Sequence, residues 1–271
     1  MRLLRHLTQS WQRLVCMALV PFLFGGTAQA LPSFARQTGE TCAACHVGAF
    51  GPQLTPHGRA FKIGGYSDAK DNKVRVPLSA MLVGNWTHTK KDQAEPLSAH
   101  DGTNNNAALQ EASIFVAGKI APHLGAFVRT TYSEIDRATA FDHADVRYTR
   151  SLQAGGKDLI IGLDINNNPT VQDPFNTVGA WSAPYTASDL TPGHLTGAFL
   201  TGGLEHQVLG TSAYAYFDDH LYAEIGGYRS LSSGALNSLG IEDEAGKLSG
   251  IAPYWRLAYN REWNRQSASI G

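Results

Sequence analysis

Ala112-Ser113-Ile114-Phe115-Val116-Ala117-Gly118-Lys119-Ile120 decides the fold. Ala112, Ile114, Val116, Gly118 and Ile120 are apolar or small, while Glu111, Ser113 and Lys119 lie on the other side. That is the period of two expected of a strand with unlike faces. Leu124, Ala126, Val128, Thr130 and Tyr132 repeat it against Arg129, Thr131 and Ser133, and Leu159, Ile161, Leu163 and Ile165 repeat it against Asp158 and Asp164. Leu221, Ala223 and Ile225 oppose Glu224, and Trp255, Leu257 and Tyr259 oppose Arg256, Asn260 and Glu262. The pattern predicts about eight strands, at 75–88, 109–121, 123–135, 141–151, 156–166, 203–217, 220–230 and 251–264. Most reach the roughly 9–11 residues of a tilted transmembrane strand.

The predicted connections at 89–108, 122, 136–140, 152–155, 167–202, 218–219 and 231–250 alternate between longer loops and tight turns. Outer-membrane barrels have long loops outside and short turns in the periplasm. The expected fold class is therefore mainly β, a small haem-binding segment followed by an antiparallel outer-membrane-type barrel. A soluble sandwich is the alternative, and it would bury its apolar face against a second sheet. The final residues, Gln266 to Gly271, read as a turn entering a further strand, and no terminal aromatic residue closes the chain. Eight strands enclose a lumen filled by side chains, so the expectation is an incomplete portion of a larger barrel over residues 74–271.

Upstream, Thr41-Cys42-Ala43-Ala44-Cys45-His46 is a Cys-x-x-Cys-His run. Two thiols at that spacing can add to the two porphyrin vinyl groups, and the adjacent imidazole can bind the iron, so the run reads as a site for one covalent haem c. A thioredoxin-like dithiol would want a βαβ context, and a zinc site would want a second ligand pair. Residues 1–30 carry Arg2, Arg5 and Arg13, an apolar run from Leu14 to Phe24 and Ala28-Gln29-Ala30, the plan of a cleaved export signal. Cys16 leaves with it, so Cys42 and Cys45 are the thiols that remain.

Residues 31–73 form the predicted cytochrome segment, broken by Pro32, Pro52 and Pro56, with short helical pieces at 42–46 and 58–63. It is too small to bury a haem alone. His46 is the expected first axial ligand. For the second, His57 lies eleven residues further on in a Pro-flanked loop, with Met81, His88, His100 and His143 as the other candidates. Arg36, Arg59 and Lys62 are candidate partners for haem propionates or ordinary surface charges.

Composition narrows the function further. The chain has 22 Lys and Arg against 23 Asp and Glu, and removing Arg2, Arg5 and Arg13 with residues 1–30 leaves 19 against 23. That balance is not a nucleic-acid binder's. No Ser-His-Asp order, phosphate loop or His-x-x-x-His pair supports hydrolase chemistry. Lys119, Arg129, His143, Asp145, Arg147, Asp158, Asp164, Glu224, Arg256 and Glu262 fall opposite the apolar face. They read first as charge ladders satisfying one another, and second as oxygen and imidazole ligands for Fe(II); none is assigned to a metal.

Phe34-Ala35-Arg36-Gln37-Thr38-Gly39, the Cys42–His46 site, Pro52 to Lys62 and Gly65-Tyr66 together resemble the N-terminus of fused monohaem cytochrome–porins, a family that includes outer-membrane cytochromes of iron-oxidising bacteria. Asn166 to Asn176, with Trp181 nearby, is similar to a segment of the same group. The resemblance implies a cytochrome head plugging or capping a porin-like barrel, and it departs from the family in length. It implies electron transfer at the outer membrane, with extracellular Fe(II) as a donor, soluble periplasmic cytochromes as carriers, and outer-membrane lipid as surroundings. A soluble periplasmic cytochrome with a β-rich accessory domain, and a haem-bearing porin or sensor, are the alternative functions.

Overall fold

In the computed structural model, residues 31–49, 53–71, 75–176, 188–191, 204–243, 247–263 and 266–271 are described. The predicted export segment and Trp181 lie outside them. The chain from Leu31 onward is mainly β. Nine strands form one antiparallel sheet in sequence order: β1 (Leu78–Thr87), β2 (Asn106–Ala121), β3 (Leu124–Ser133), β4 (Ala138–Ala154), β5 (Lys157–Asn166), β6 (Val208–Phe217), β7 (Leu221–Ser230), β8 (Ala252–Trp263) and β9 (Gln266–Ile270). The ninth strand is the one that Gln266 to Gly271 foreshadowed. β1 and β9 are the sheet's edges and are not paired with each other, so the sheet is open and not a closed barrel.

All strand connections join hydrogen-bonded neighbours. Thr87, Asn106, Ser133, Ala138, Asn166, Val208, Ser230 and Ala252, which flank the longer connections and 134–137, lie at one end of the strands; the turns at 122–123, 155–156 and 218–220 lie at the other. Gly155 and Gly156 both have positive φ, 61° and 78°, which a two-residue turn between twisted strands requires and glycine supplies without strain.

The two faces have opposite chemistry from those of a soluble sheet. Leu82 is 74 % exposed, Ile225 70 % and Trp255 76 %, and Ile114, Ile161, Leu163, Ile165 and Leu257 are exposed on the same face. Asp145 and Arg147 are 0 % exposed, and Asp164, Glu224 and Asn260 are buried on the other. The second sheet that a sandwich would require is missing among the described residues. Exposed aromatic residues sit at both ends of the apolar face: Trp86, Tyr132 and Trp255 toward the long connections, Tyr148, Tyr259 and Trp263 toward the short turns. Among the described residues no helix is long and apolar enough to cross a membrane.

The buried face is covered by the N-terminal segment, folded as α1 (Pro32–Thr38), α2 (Cys42–Cys45), a 3-10 turn (Val47–Ala49) and α3 (Pro56–Ile63). The sheet curls around it. Ser33 donates its backbone N–H to Ser79 Oγ of β1 at 2.9 Å, and Gln37 Oε1 accepts from Lys119 N of β2 at 2.7 Å. Thr149 of β4 donates to Gly64 O at 2.9 Å, Tyr214 of β6 donates to Ile63 O at 2.6 Å, and Arg59 meets Glu262 of β8 at 2.9 Å. These anchors lie toward the short-turn end. Ile63 packs with Tyr214, Tyr216, Tyr222 and Ala258 in an apolar cluster on that side. α1 is a helix that the proline count argued against; Pro32 at its first turn is where proline is tolerated.

Candidate functional site

Cys42 and Cys45 occupy one turn, at a spacing that puts both side chains on the same face. Each is half-buried. Burial, with the charge of Glu40 and the neighbouring Cys42 adding to it, pushes the Cys45 thiol up, so it stays protonated at neutral pH. His46 follows directly and turns extended. Its backbone bridges Leu54, while Val47 N donates to Gln53 O at 3.0 Å and Thr55 N to Cys45 O at 2.9 Å. The loop after the motif therefore folds back on it.

α3 fixes that fold. Thr55 caps the helix by accepting from Gly58 N at 3.1 Å and donates its own hydroxyl to Ala44 O at 2.5 Å. Gly58 lies so close to the motif that a Cβ there would stand 2.2 Å from Cys45 O. His57, one residue earlier, is exposed on the first turn of α3.

The donor set of two thiols and an imidazole suits haem c. Neither rival suits this setting: among the described residues all strand pairs are antiparallel, which gives no βαβ context, and no ring of metal ligands surrounds the two cysteines. For the second axial position, β1 carries His88 past its far end, about 30 Å along the strand from Ser79. His100 and His143 belong to the same long-connection end. His57 and Met81 are the two candidates on the head's side of the sheet.

The candidate propionate partners divide. Arg36 donates to Leu78 O and remains exposed. Arg59 is buried, with one arm on Glu262 and its Nε without a hydrogen-bond partner. Lys62 faces away into the sheet, donating to Asp173 O at 2.9 Å and Asn176 Oδ1 at 2.8 Å. Burial, reinforced by the Arg147 charge, lowers its pKa to about 8.

Beyond Lys62, the predicted inward charges Arg129, Asp145, Arg147, Asp164 and Arg256 form a packed ionic layer, while Asp158 is exposed. Arg147 holds Asp145 through Nε at 2.8 Å and reaches Asp164 at 3.2 Å, and Tyr66 donates to Asp145 Oδ2 at 2.6 Å. Arg147 lies 5.7 Å from the Tyr66 ring centre and 5.6 Å from that of Tyr214, within cation–π range. Arg256 pairs with Asp173 at 3.0 Å, and Arg129 with Glu111 at 2.6 Å and Asp142 at 2.9 Å. These residues answer one another, as the ladder reading expects.

His143 departs from that pattern. It is gathered with Glu205 and His206, their ligand atoms all within 4.8 Å. The sequence reading placed Glu205 and His206 in a strand at 203–217, whereas β6 begins at Val208 and both stand in the connection before it, sixty-odd positions from His143. The available signal was an Asn-Asn-Asn turn closing β5 and a Glu-His pair opening β6. No protein-family model, curated protein or solved structure matches this chain.

Proposed function

We propose that the chain is a monohaem c-type cytochrome built into an outer-membrane-type β-barrel wall, and that it carries electrons at the outer membrane. The observation that carries this reading is the inverted sheet: apolar side chains outward, charged ones buried around the segment bearing Cys42, Cys45 and His46. Twenty large apolar side chains on the strands are at least 38 % exposed. At about 1 kcal/mol each for half-burial, hydrocarbon around them would add about 20 kcal/mol, more than the ~5–15 kcal/mol net stability of a typical domain. Strands such as β1, β3 and β5, with 10 residues each, have spanning length, and the two aromatic rims match the interfacial girdles of such barrels. A soluble cytochrome with a β-rich accessory domain would leave that apolar face in water.

A bound haem c supplies one-electron chemistry. Cys42 and Cys45 would hold it covalently and His46 would ligate its iron, while the backbone bonds of Val47 to Gln53 and of Thr55 to Cys45 keep His46 beside the thiols. Extracellular Fe(II) is the proposed donor: each ion loses one electron and departs as Fe(III), and a soluble periplasmic cytochrome takes the electron onward. The test uses the full chain in outer-membrane vesicles under excess Fe(II) without oxygen. The visible spectrum should change to that of reduced haem, and His46→Ala should abolish the change while the protein stays membrane-inserted. A haem that remains oxidised under Fe(II) but is reduced by a periplasmic cytochrome would overturn Fe(II) as donor. Recovery of the protein in the soluble periplasm without detergent would overturn the membrane reading.

A further inference from the structure

We infer that His143, Glu205 and His206 bind one divalent first-row transition-metal ion at the long-connection end of the sheet's polar face. The three ligand atoms lie within 4.8 Å of one another, against the roughly 3–3.5 Å that separates neighbouring donors around a single ion at ordinary bond lengths. A shift of about an ångström closes the set. Two imidazoles and one carboxylate with positions left open is the donor set of non-haem Fe(II) and of related N/O sites.

The framing is built from elements far apart in sequence. Asn167 clamps β4: its N–H donates to Ala144 O at 3.1 Å and its Oδ1 accepts from Ala144 N at 2.7 Å. The same residue's carbonyl accepts from His206 N at 3.1 Å. One asparagine thus fixes the strand bearing His143 against the turn bearing His206. Asn168 does the same for the side chains, with Nδ2 at 3.0 Å from His143 Nδ1 and 2.8 Å from Glu205 Oε1. The bond from Asn168 to Glu205 is an outer contact of the kind that orients a metal-ligating carboxylate. Phe127 stacks on His143 with ring centres 6.2 Å apart, and the His206 ring meets that of His143 at 5.0 Å.

Two features suit a bound cation. His206 Nε2 is buried with no hydrogen-bond partner, and it stands 3.4 Å from Glu205 Oε1, too far for a good hydrogen bond. Glu205 supplies the negative charge: Arg129, opposite His143 in the β3–β4 register, is engaged by Glu111 and Asp142, and Lys62 is turned to Asp173 O and Asn176 Oδ1. His206 also has φ of 64°, a strained backbone for a non-glycine residue.

That the ion in the cell is Fe(II) rests on the function proposed above; the site does not. His143, Asp145, Arg147 and Thr149 follow one another down the inner face of β4, and Thr149 donates to Gly64 O beside the head. Tyr66 of the head donates to Asp145 in the same row, so the ion lies about 7 Å along the strand from the head's nearest contact and about 20 Å from Thr149, where an entering substrate would be held before the haem.

Cobalt(II) absorption spectroscopy on the purified full chain in detergent tests the site without involving the haem. One equivalent of Co(II) should bind, with ligand-field bands of an N/O environment, and equally well to Cys42→Ala/Cys45→Ala protein. His143→Gln/His206→Asn should remove the binding; asparagine tolerates the left-handed backbone at position 206. Asn168→Ala should weaken it roughly tenfold or more, and His100→Ala should not. In the wild-type protein, which needs no variant to fold, saturating Zn(II) should protect His143 and His206 from diethyl pyrocarbonate while His100 still reacts. Unprotected His143 and His206, or Co(II) binding that survives the double substitution, overturns the site. Loss of Fe(II)-dependent haem reduction with Co(II) binding intact would instead count against the donor assignment.

Discussion

Arg59 and Glu262 meet at 2.9 Å across 203 positions of sequence, one on the helix that follows the Cys42–His46 motif and the other near the end of the last long strand. Arg59 is 7 % exposed and Glu262 42 %. Removing the carboxylate strands a buried guanidinium whose other contact is a 3.4 Å bond to Leu54 O. The cost falls between that of an exposed pair and a buried one.

Glu262→Ala should therefore loosen the head by about 1–2 kcal/mol. Proteolytic cutting within residues 31–70 should accelerate about 5- to 30-fold, since cleavage tracks the open population. Arg59→Ala, which leaves only the half-exposed carboxylate, should do less. Equal effects would mean that the pair is not anchoring the head.

Gly58 supplies a second test of the head's internal packing. Its missing Cβ would lie 2.2 Å from Cys45 O and 2.9 Å from Cys45 C, so backbone must move. Gly58→Ala should cost about 1–3 kcal/mol and lower the fraction of chains carrying covalent haem, with far-UV circular dichroism of the sheet unchanged. Full haem attachment at wild-type stability would show that the close approach is not required.

The strands were legible because each bears one apolar and one polar face, and the alternation fixes which side chains share a face whatever the solvent outside. Glu111, Asp145, Asp164 and Glu224 were assigned to the correct side on that ground alone. Ends were less legible: β2 begins at Asn106, three residues before the prediction, and β4 runs from Ala138 to Ala154 instead of 141–151. Pairing there is completed by Asn, Ala and Gln residues that carry little strand signal. α1 was missed because its buried residues are Ser33 and Gln37, which bond to the sheet without giving a helical apolar stripe. The assembly of His143, Glu205 and His206 was invisible because only the β4–β5–β6 pairing brings those positions together.

Lys62 gives a pH dependence with a definite sign. Its pKa falls to about 8 in the folded protein, from 10.5, chiefly through burial. Below about pH 8 both states are protonated and the folded state bears the cost of a buried charge. Between about pH 8 and 10.5 the unfolded chain holds more protons, so stability rises with pH, by at most about 3 kcal/mol. Thermal melting between pH 7 and 10 should show this contribution as a difference between wild type and Lys62→Met, which should lack it. Parallel curves for the two proteins would refute it.

His57 heads the candidates for the second axial ligand. It is exposed on the first turn of α3, beside the glycine that touches Cys45, so only a local movement separates it from the motif. Replacing it by Ala should convert low-spin haem to five-coordinate or water-bound iron, visible in the absorption spectrum. An unchanged low-spin spectrum assigns the position to Met81 or another histidine, and Met81→Ala then decides between them.

The topology makes the remaining prediction. Long connections and tight turns separate cleanly to opposite ends of the strands, and α1 and α3 are anchored toward the tight-turn end through Ser79, Thr149 and Glu262. If that end faces the periplasm, the head meets soluble cytochromes while His143, Glu205 and His206 face outward. Lys91→Cys and Asn237→Cys, both exposed in long connections, should react with a membrane-impermeant maleimide on intact cells. Lys157→Cys, exposed beside the Gly155-Gly156 turn, should react only after the outer membrane is opened. Labelling of all three on intact cells would abolish the two-sided arrangement, and the reverse pattern would turn the head outward, where it could meet Fe(II) directly but not a periplasmic acceptor.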